Sequence, residues 1–114
     1  MKNIESYKHR AAKAVLKTWL QEYFEVKEEQ EIMLNDRIYF IPDLTCFENN
    51  EIVAFYEVCH THSLNAKKIG RVQFWNYTNN SHAGLYEVEA EWILRQIERP
   101  DKLLLMDYSL IFTK

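Results

Sequence analysis

Two long apolar runs in the middle of the chain constrain its fold more than any other feature. The runs 37–47 (RIYFIPDLTCF) and 52–60 (IVAFYEVCH) are apolar at almost every position. A strand with one face in water alternates between apolar and polar residues, so strands that are apolar on both faces have to be covered on both faces. The polar segment ENNE between the runs predicts a turn, because Asn tolerates left-handed backbone. We therefore expect a hairpin of interior strands with helices on both sides of the sheet.

The flanking segments predict an α/β protein with a mixed sheet and the element order α-β-β-β-α-β-α-β. Apolar residues recur at helical spacing in the first segment, and a weaker, edge-like strand follows it. The predicted helices are 4–24, 63–78 and 89–97, and the predicted strands are 25–34, 37–47, 52–60, 84–90 and 102–112. Only two glycines and two prolines in 114 residues favour regular elements with short connections in a single domain, 1–114.

The composition gives an expectation for the cellular location of the protein. No apolar run is long enough to span a bilayer, and the polar first residues argue against a signal peptide. Two cysteines do not make a disulfide framework, so free thiols are expected in a reducing compartment. We therefore expect a cytoplasmic protein that does not contact membranes.

Charge is distributed unevenly along the chain, although the net charge of −3 does not by itself favour nucleic acid. Five glutamates crowd residues 22–31, whereas no acid lies between Glu57 and Glu87. That interval contains the candidate DNA-binding residues, which are His62, Lys67, Lys68 and Arg71. If it shares a face with the lysines of the first helix, the protein has a basic side. The alternative is that these cations are ordinary solvated surface.

Two carboxylates lie inside the apolar runs. Asp43 and Glu57 fall on the two strands that the ENNE turn folds together, so the hairpin should bring them side by side. Neighbouring carboxylates in an apolar wall repel each other and lose hydration, unless a divalent cation lies between them. Few, hard oxygen ligands are what Mg²⁺ prefers. The pair predicts a metal site, and the alternative is that both acids face water or pair with Lys or Arg.

The first helix carries ionisable residues on its apolar side. Glu5, His9 and Lys13 are spaced i, i+4, i+8 and prolong the core-facing stripe that contains Leu16. Ionisable groups in such a stripe should meet a partner or a cleft. The alternative is a surface row that adds a little helix stability.

These residues together resemble a known family. Pro42-Asp43 followed by Glu57 on the next strand is similar to the signature of the PD-(D/E)XK nuclease superfamily. Ser6, His9 and Lys13 resemble the helix of its CoiA-like competence nucleases. The segment from Glu57 through a short polar run to a helix with an Arg and a later aromatic is similar to the same family. The resemblance covers roughly residues 3–78.

The resemblance implies a restriction-endonuclease-like fold and a metal-dependent nuclease that hydrolyses DNA, whether single-stranded, duplex or branched. It implies that Asp43 and Glu57 bind Mg²⁺ or Mn²⁺, with the backbone carbonyl of Val58 as third ligand. His9 and Lys13 would then contact the scissile phosphate, and Glu5 would hold a second metal or orient a water.

One departure from the family affects catalysis directly. The usual lysine, two residues after the second acid, is Cys59 here, and a thiol cannot stabilise negative charge as an ammonium does. Lys13 is the first candidate to replace it, ahead of Lys67 and Lys68, because it lies on the core-facing stripe. Without a replacement, the chain would be a catalytically silent module that binds nucleic acid or protein.

Other interpretations use the same segment. A zinc set could be drawn from the cysteines and three histidines, Cys46, Cys59, His60, His62 and His82, but no paired ligand spacing supports it. A reactive Cys59 beside His60 or His62 needs an orienting third group that the sequence does not identify.

Aromatic residues follow the basic segment, in the order Phe74, Trp75 and Tyr77. They could form a stacking surface for single strands, but helical spacing favours Phe74 as a core residue. The apolar last strand, 102–112, or this aromatic helix could also mediate a homodimer.

Overall fold

The computed structural model describes residues 6–60 and 66–97, together with the backbone of 110–112. In chain order, the elements are α1 Tyr7–Leu20, β1 Glu25–Glu28, β2 Ile32–Leu34, β3 Arg37–Phe40, β4 Leu44–Glu48, β5 Glu51–Cys59, α2 Ala66–Asn79, β6 Gly84–Glu89, α3 Ala90–Arg95 and β7 Leu110–Phe112.

Five strands form a mixed central sheet in the order β1-β4-β5-β6-β7. Its pairs are antiparallel except for β5 and β6, which run parallel. A parallel pair needs a crossover connection, and α2 lies within the segment that joins these two strands. The protein is therefore of the mixed α/β class, with helices flanking the sheet, as the sequence predicts.

The central strand β5 is buried on both faces. Tyr56 packs in a cluster with Leu16 of α1 and Ile93 of α3. The adjacent Phe55 packs in a second cluster, with Val72 and residues that line the other side of the sheet. Successive side chains of a strand point to opposite faces, so α1 and α3 cover one face and α2 covers the other. This confirms the two-sided cover predicted from the apolar runs.

The ENNE turn is present, and it closes the β4–β5 hairpin. Asn49 and Asn50 have φ values of 54° and 67°, and Glu48 pairs with Glu51 across the turn. A two-residue connection with left-handed backbone at both positions matches the twist of the strands that it joins.

The prediction of one strand at 25–34 and another at 37–47 was wrong, because each run contains two shorter strands. β1 pairs with β4, whereas β2 and β3 form a separate two-stranded sheet. Asn35 and Asp36, with φ values of 53° and 63°, make a second tight turn between β2 and β3. Pro42 lies between β3 and β4, where its missing N–H interrupts the strand. Apolar content alone did not reveal these interruptions.

The prediction that Phe74 is a core residue was also wrong. The buried side of α2 carries Val72, Trp75 and Asn76, and Phe74 points away from it with 52% of its surface exposed. Asn76 is buried because its amide pairs with both backbone groups of Ala83, over 3.0 and 3.1 Å. At 3.6 residues per turn, a helix that buries 72, 75 and 76 directs residue 74 outward.

The end of the predicted last strand, Leu110–Phe112, pairs antiparallel with β6 at the sheet edge as β7, and residues 102–109 of that prediction lie outside the described residues. Among the helices of the described ranges, none has the length and apolar content needed to cross a membrane.

The two glycines of the chain provide a matched test of this packing. Gly70 has no atom within 4 Å of where a Cβ would lie, whereas a Cβ on Gly84 would lie 2.9 Å from Tyr86 Cε2. The Tyr86 ring is stacked on Tyr56 at 4.7 Å and cannot move aside easily. We expect Gly70→Ala to raise the free energy of unfolding by about 0.5–1 kcal/mol, and Gly84→Ala to lower it by about 1–3 kcal/mol.

Urea unfolding followed by circular dichroism measures both changes. A Gly84→Ala variant as stable as the wild type would mean that the Tyr56–Tyr86 stack is not fixed in the way described.

Candidate active site

The β4–β5 hairpin brings the two predicted acids together. Its register pairs Leu44 with Tyr56 and Thr45 with Phe55, so Asp43, which immediately precedes β4, is opposite Glu57. Both carboxylates are largely buried, with 16% and 13% of their side-chain surface exposed. The turn by itself would place Asp43 opposite Tyr56, because Glu48 pairs with Glu51. A register shift between Cys46 and Phe47 moves the pairing by one residue and puts Asp43 opposite Glu57.

Asp43 is held in place by β5 and faces the first helix. The backbone N–H of Val58 donates a hydrogen bond of 2.7 Å to Asp43 Oδ2. His9 Nε2 lies 3.4 Å from the same oxygen and 2.8 Å from the Val58 carbonyl oxygen. Because a carbonyl can only accept, Nε2 is the donor in that bond. The imidazole N–H is thus directed at two oxygens that the family resemblance assigns to a metal.

His9 reaches this position because it lies in the first turn of α1. Ser6 caps the helix, since its hydroxyl accepts the backbone N–H of His9 over 3.0 Å. The same hydroxyl lies 3.4 Å from His60 Nε2, just beyond the end of β5. The structure therefore brings together Ser6, His9, Asp43 and Glu57. Glu5, the remaining member of the predicted helix row, lies outside the described residues.

The surroundings of Glu57 disfavour the ionised form of its carboxyl. Burial, followed by the negative charge of Asp43, raises the pKa of Glu57 from an ordinary 4.5 to about 7, although Lys68 opposes the shift. Lys68 Nζ lies 3.4 Å from Glu57 Oε2 and extends from the first turn of α2. Lys68, which the sequence offered only as a secondary candidate, is thus a cation in contact with the acid pair.

Lys13, the first candidate from the sequence, is placed differently. Its ammonium is 2.9 Å from Glu29 Oε2, and only 7% of its side-chain surface is exposed. The backbone N–H of Glu29 in turn donates to the Asp43 carbonyl over 3.1 Å. Through its ion pair with Glu29, Lys13 therefore stabilises the backbone contact that holds Asp43.

Glu87 is a site neighbour that the sequence analysis missed. In the parallel register of β5 and β6 it pairs with Glu57, so the two side chains share a face of the sheet, and Glu87 is only 2% exposed. An acid inside the apolar run GLYEVEA was the available signal. Its significance depends on the parallel pairing of strands separated by a helix, which residue spacing alone does not give.

Cys59 is a neutral thiol in this environment. Burial, followed by the charge of Glu87, raises the pKa of Cys59 to about 12, and its Sγ lies 3.7 Å from the Val88 carbonyl. A protonated thiol cannot supply the positive charge of the family lysine. It is equally unsuited to the reactive-cysteine interpretation, because the thiolate is the nucleophile.

The predicted zinc set does not assemble among the described residues. Cys46 is buried in the cluster beneath α1, and burial raises its pKa to about 12. In the ranges that the structure describes, no group of three or more His, Cys, Asp and Glu side chains is positioned to hold a metal ion. His62 lies outside these ranges.

The cations expected to form one basic side lie on two faces. α1 and α2 cover opposite faces of the sheet, and three lysines of α1 bind acids, in the pairs Lys8–Glu91, Lys13–Glu29 and Lys17–Glu28. On α2, Lys67 is exposed, and Arg71 donates to the Tyr39 carbonyl over 3.4 Å. The condition for a shared basic side is therefore not met, because the exposed cations of α1, such as Arg10, lie across the sheet from the exposed Lys67 of α2.

No family model, no curated protein and no solved structure matches the chain in sequence or structure comparisons.

The raised pKa of Glu57 predicts a pH-dependent stability. Between about pH 4.5 and pH 7, the folded chain retains the Glu57 proton that the unfolded chain has released. The contribution of Glu57 to stability therefore falls as pH rises through this window and is constant above it, with a total loss of roughly 3 kcal/mol. Glu57→Gln should abolish the loss and be more stable than wild type at alkaline pH.

Urea unfolding at the two ends of this window, with a chelator present, measures the difference. Glu48→Gln, which removes an exposed acid at the far end of the same hairpin, should retain the wild-type pH dependence. A Glu57→Gln variant with an unchanged slope would contradict the assignment.

Proposed function

We propose that this protein is a metal-dependent nuclease that hydrolyses phosphodiester bonds in DNA. The observation that carries the proposal is the pair Asp43 and Glu57, juxtaposed across the β4–β5 hairpin in a half-buried position. The carbonyl of Val58 lies beside them, with its N–H bound to Asp43. Two carboxylates and a backbone oxygen are a donor set suited to Mg²⁺ or Mn²⁺.

The chemistry of these residues fits such a cation. The repulsion that contributes to the raised pKa of Glu57 is the interaction that a divalent cation relieves. His9 Nε2 already presents an N–H to the Asp43 and Val58 oxygens, which indicates that the oxygens attract positive charge. A cation bound at the Val58 carbonyl would compete with the His9 imidazole for that oxygen, and His9 would then be positioned to contact a bound phosphate.

The element order supports a restriction-endonuclease-like core within this mixed sheet. A helix, three antiparallel strands, a helix and a parallel strand correspond to α1, β1, β4, β5, α2 and β6, with β2 and β3 as an additional hairpin. This is the order that the family resemblance implies, with Asp43 immediately before β4 and Glu57 within β5.

Each residue has a distinct role in the proposed reaction. Mg²⁺ or Mn²⁺ bound by Asp43, Glu57 and the Val58 carbonyl would polarise the phosphate and lower the pKa of a water molecule. The Val58 N–H fixes the orientation of Asp43. Lys68, beside Glu57, would supply the ammonium that Cys59 cannot and would stabilise negative charge that develops on the phosphate.

A catalytically silent DNA-binding module is the second candidate, and the neutral Cys59 is the observation that favours it. If Lys68 serves only to neutralise Glu57, it does not replace the family lysine, and the site would bind DNA without cleaving it. The two free thiols, Cys46 and Cys59, suit a reducing compartment under either function, so we place the protein in the cytoplasm. A homodimer through the edge strand β7 remains part of the proposal.

Cleavage assays on single-stranded, duplex and branched DNA test the nuclease proposal directly. We expect activity with Mg²⁺ or Mn²⁺, and a loss of at least about a hundredfold in Asp43→Asn and Glu57→Gln. Mn²⁺ should also raise the melting temperature of the wild type but not of these variants, because only the wild type binds it. Glu48→Gln should retain both properties.

Equal cleavage by the wild type and both variants would indicate a contaminant and refute the proposal. Stabilisation by Mn²⁺ without cleavage of any substrate would favour the silent module instead.

Replacement of the two lysines identifies the catalytic cation. We expect Lys68→Met to reduce cleavage by about a hundredfold while Mn²⁺ still stabilises the variant. Lys13→Met should lower stability more than cleavage, because its partner is Glu29. Cys59→Ala should change neither.

The reverse result, in which cleavage depends on Lys13 and not on Lys68, would identify Lys13 of α1 as the catalytic cation. Loss of activity in Cys59→Ala would refute the proposed chemistry and favour a thiol mechanism.

A further inference from the structure

The outer side of α2 exposes two aromatic rings to solvent. Tyr77 has 84% of its surface exposed and Phe74 has 52%, whereas the adjacent Trp75 is buried. Two large rings that stay in water do not contribute the free energy that their burial would give to folding. Such a surface is typical of a binding site.

The same side of α2 carries positive charge and no acid. Lys67, Arg71, Phe74 and Tyr77 succeed one another at spacings of three or four residues, which places them along one stripe. We call this stripe the aromatic face. Residues 66–79 contain three cations and no Asp or Glu. Lysines at the start of a helix are unfavourable beside the positive end of its dipole, so this face favours an anion.

The β2–β3 hairpin holds the aromatic face in position. The Tyr39 ring lies 6.4 Å from the Phe74 ring in an edge-on arrangement. The Arg71 guanidinium lies 5.8 Å from the Tyr39 ring centroid. Trp75 Nε1 donates to the Met33 carbonyl over 3.3 Å, which ties the hairpin to α2. A ring that is already ordered loses little conformational entropy when a ligand binds.

We infer that the aromatic face binds single-stranded DNA and guides it to the acid pair, an inference that rests on the proposed nuclease function. Single strands offer unstacked bases, which every aromatic ring can accept, together with phosphates for Lys67 and Arg71. A duplex keeps its base faces inside the helix and would use only the cations.

A second copy of the chain fits this surface less well. A two-fold symmetric contact places the same face on both sides, so Lys67 and Arg71 of one chain would meet their own copies. α2 offers no acid to pair with them, and like charges across an interface oppose association.

The aromatic face is close enough to the acid pair for one short strand to reach both. Lys68, whose Nζ is 3.4 Å from Glu57, precedes Phe74 by six residues and Tyr77 by nine. At about 1.5 Å per residue, these separations are roughly 9 and 14 Å along the helix. A stacked strand covers them with about three to four nucleotides. The substrate inferred is therefore DNA with a single-stranded segment of at least that length.

Fluorescence anisotropy in a chelator tests binding separately from cleavage. The probes are a labelled oligothymidylate of about 16 nucleotides, at the upper end of the site sizes of single-strand binders, and a duplex of equal length. We expect tighter binding of the single strand and a loss of roughly tenfold in Tyr77→Ala. Tyr77→Trp should bind like the wild type, because it keeps a stacking ring.

Tyr7→Ala is the matched control for the loss of an exposed ring. Tyr7 is 81% exposed, close to the value for Tyr77, but it lies on α1, across the sheet. This variant should bind the single strand as the wild type does.

The dependence of affinity on salt tests the cations. Lys67→Gln should lower the slope of log affinity against log salt by about 0.7, as expected for one phosphate contact with a single strand. Lys27→Gln removes the same charge from β1, where Lys27 lies 4.0 Å from Glu25, and should leave the slope unchanged.

The outcomes separate this inference from the nuclease proposal. Tyr77-dependent binding without cleavage in the presence of metal would support the aromatic face and refute the nuclease. Cleavage with unchanged single-strand affinity in Tyr77→Ala would overturn the inference and leave the nuclease standing. Absence of single-strand binding would also overturn it, as would a dimer in sedimentation that Tyr77→Ala converts to a monomer.

Discussion

The double-sided burial of β5 is the constraint on which the rest of the structure depends. Phe55 is fully buried on one face and Tyr56 is 2% exposed on the other. Apolar surface removed from water contributes roughly 25 cal/mol per Å², so neither face of this strand can be left open. One helix precedes the strand pair and one follows it, and they occupy opposite faces. That division explains why α1 and α2 do not combine their lysines into one basic surface.

The acid pair forms where this cover ends. The first turn of α1 and the first turn of α2 both meet the last residues of β5, bringing His9 and Lys68 to Val58 and Glu57. Carboxylates at this boundary are too buried for full hydration and too close for independent ionisation, which is why the pKa of Glu57 rises. Both carboxylates keep a small exposed surface at this boundary, 16% for Asp43 and 13% for Glu57.

α2 contributes three surfaces that serve different purposes. Its buried side packs on Phe55 through Val72 and Trp75. Its first turn places Lys68 on Glu57, and its outer side presents the aromatic face. Because a helix is rigid along its length, the aromatic face and the acid pair keep a fixed separation. If both proposals hold, α2 would connect recognition of a strand to chemistry on that strand through one rigid element.

The sequence by itself determined the local features of this protein. Apolar content on both faces of residues 52–60 required cover on both sides, and the two asparagines of ENNE set the position of the hairpin turn. The turn brought the two acidic segments together, but the register shift between Cys46 and Phe47, which only the structure shows, was also needed to place Asp43 opposite Glu57. The position of His9 on the inner stripe of α1 was also readable, because helical periodicity fixes which residues share a face.

Only the tertiary structure decided which neighbour each face would meet. It placed Lys68 rather than Lys13 on Glu57, brought Glu87 beside Glu57 through a parallel pairing 30 residues distant, and turned Phe74 outward. Turns and Pro42 divided runs that looked continuous, because apolar content does not report where backbone pairing stops. Periodicity along one segment specifies its faces, but the partner of a face depends on contacts between segments far apart in the chain, and packing selects among them only when the whole sheet is formed.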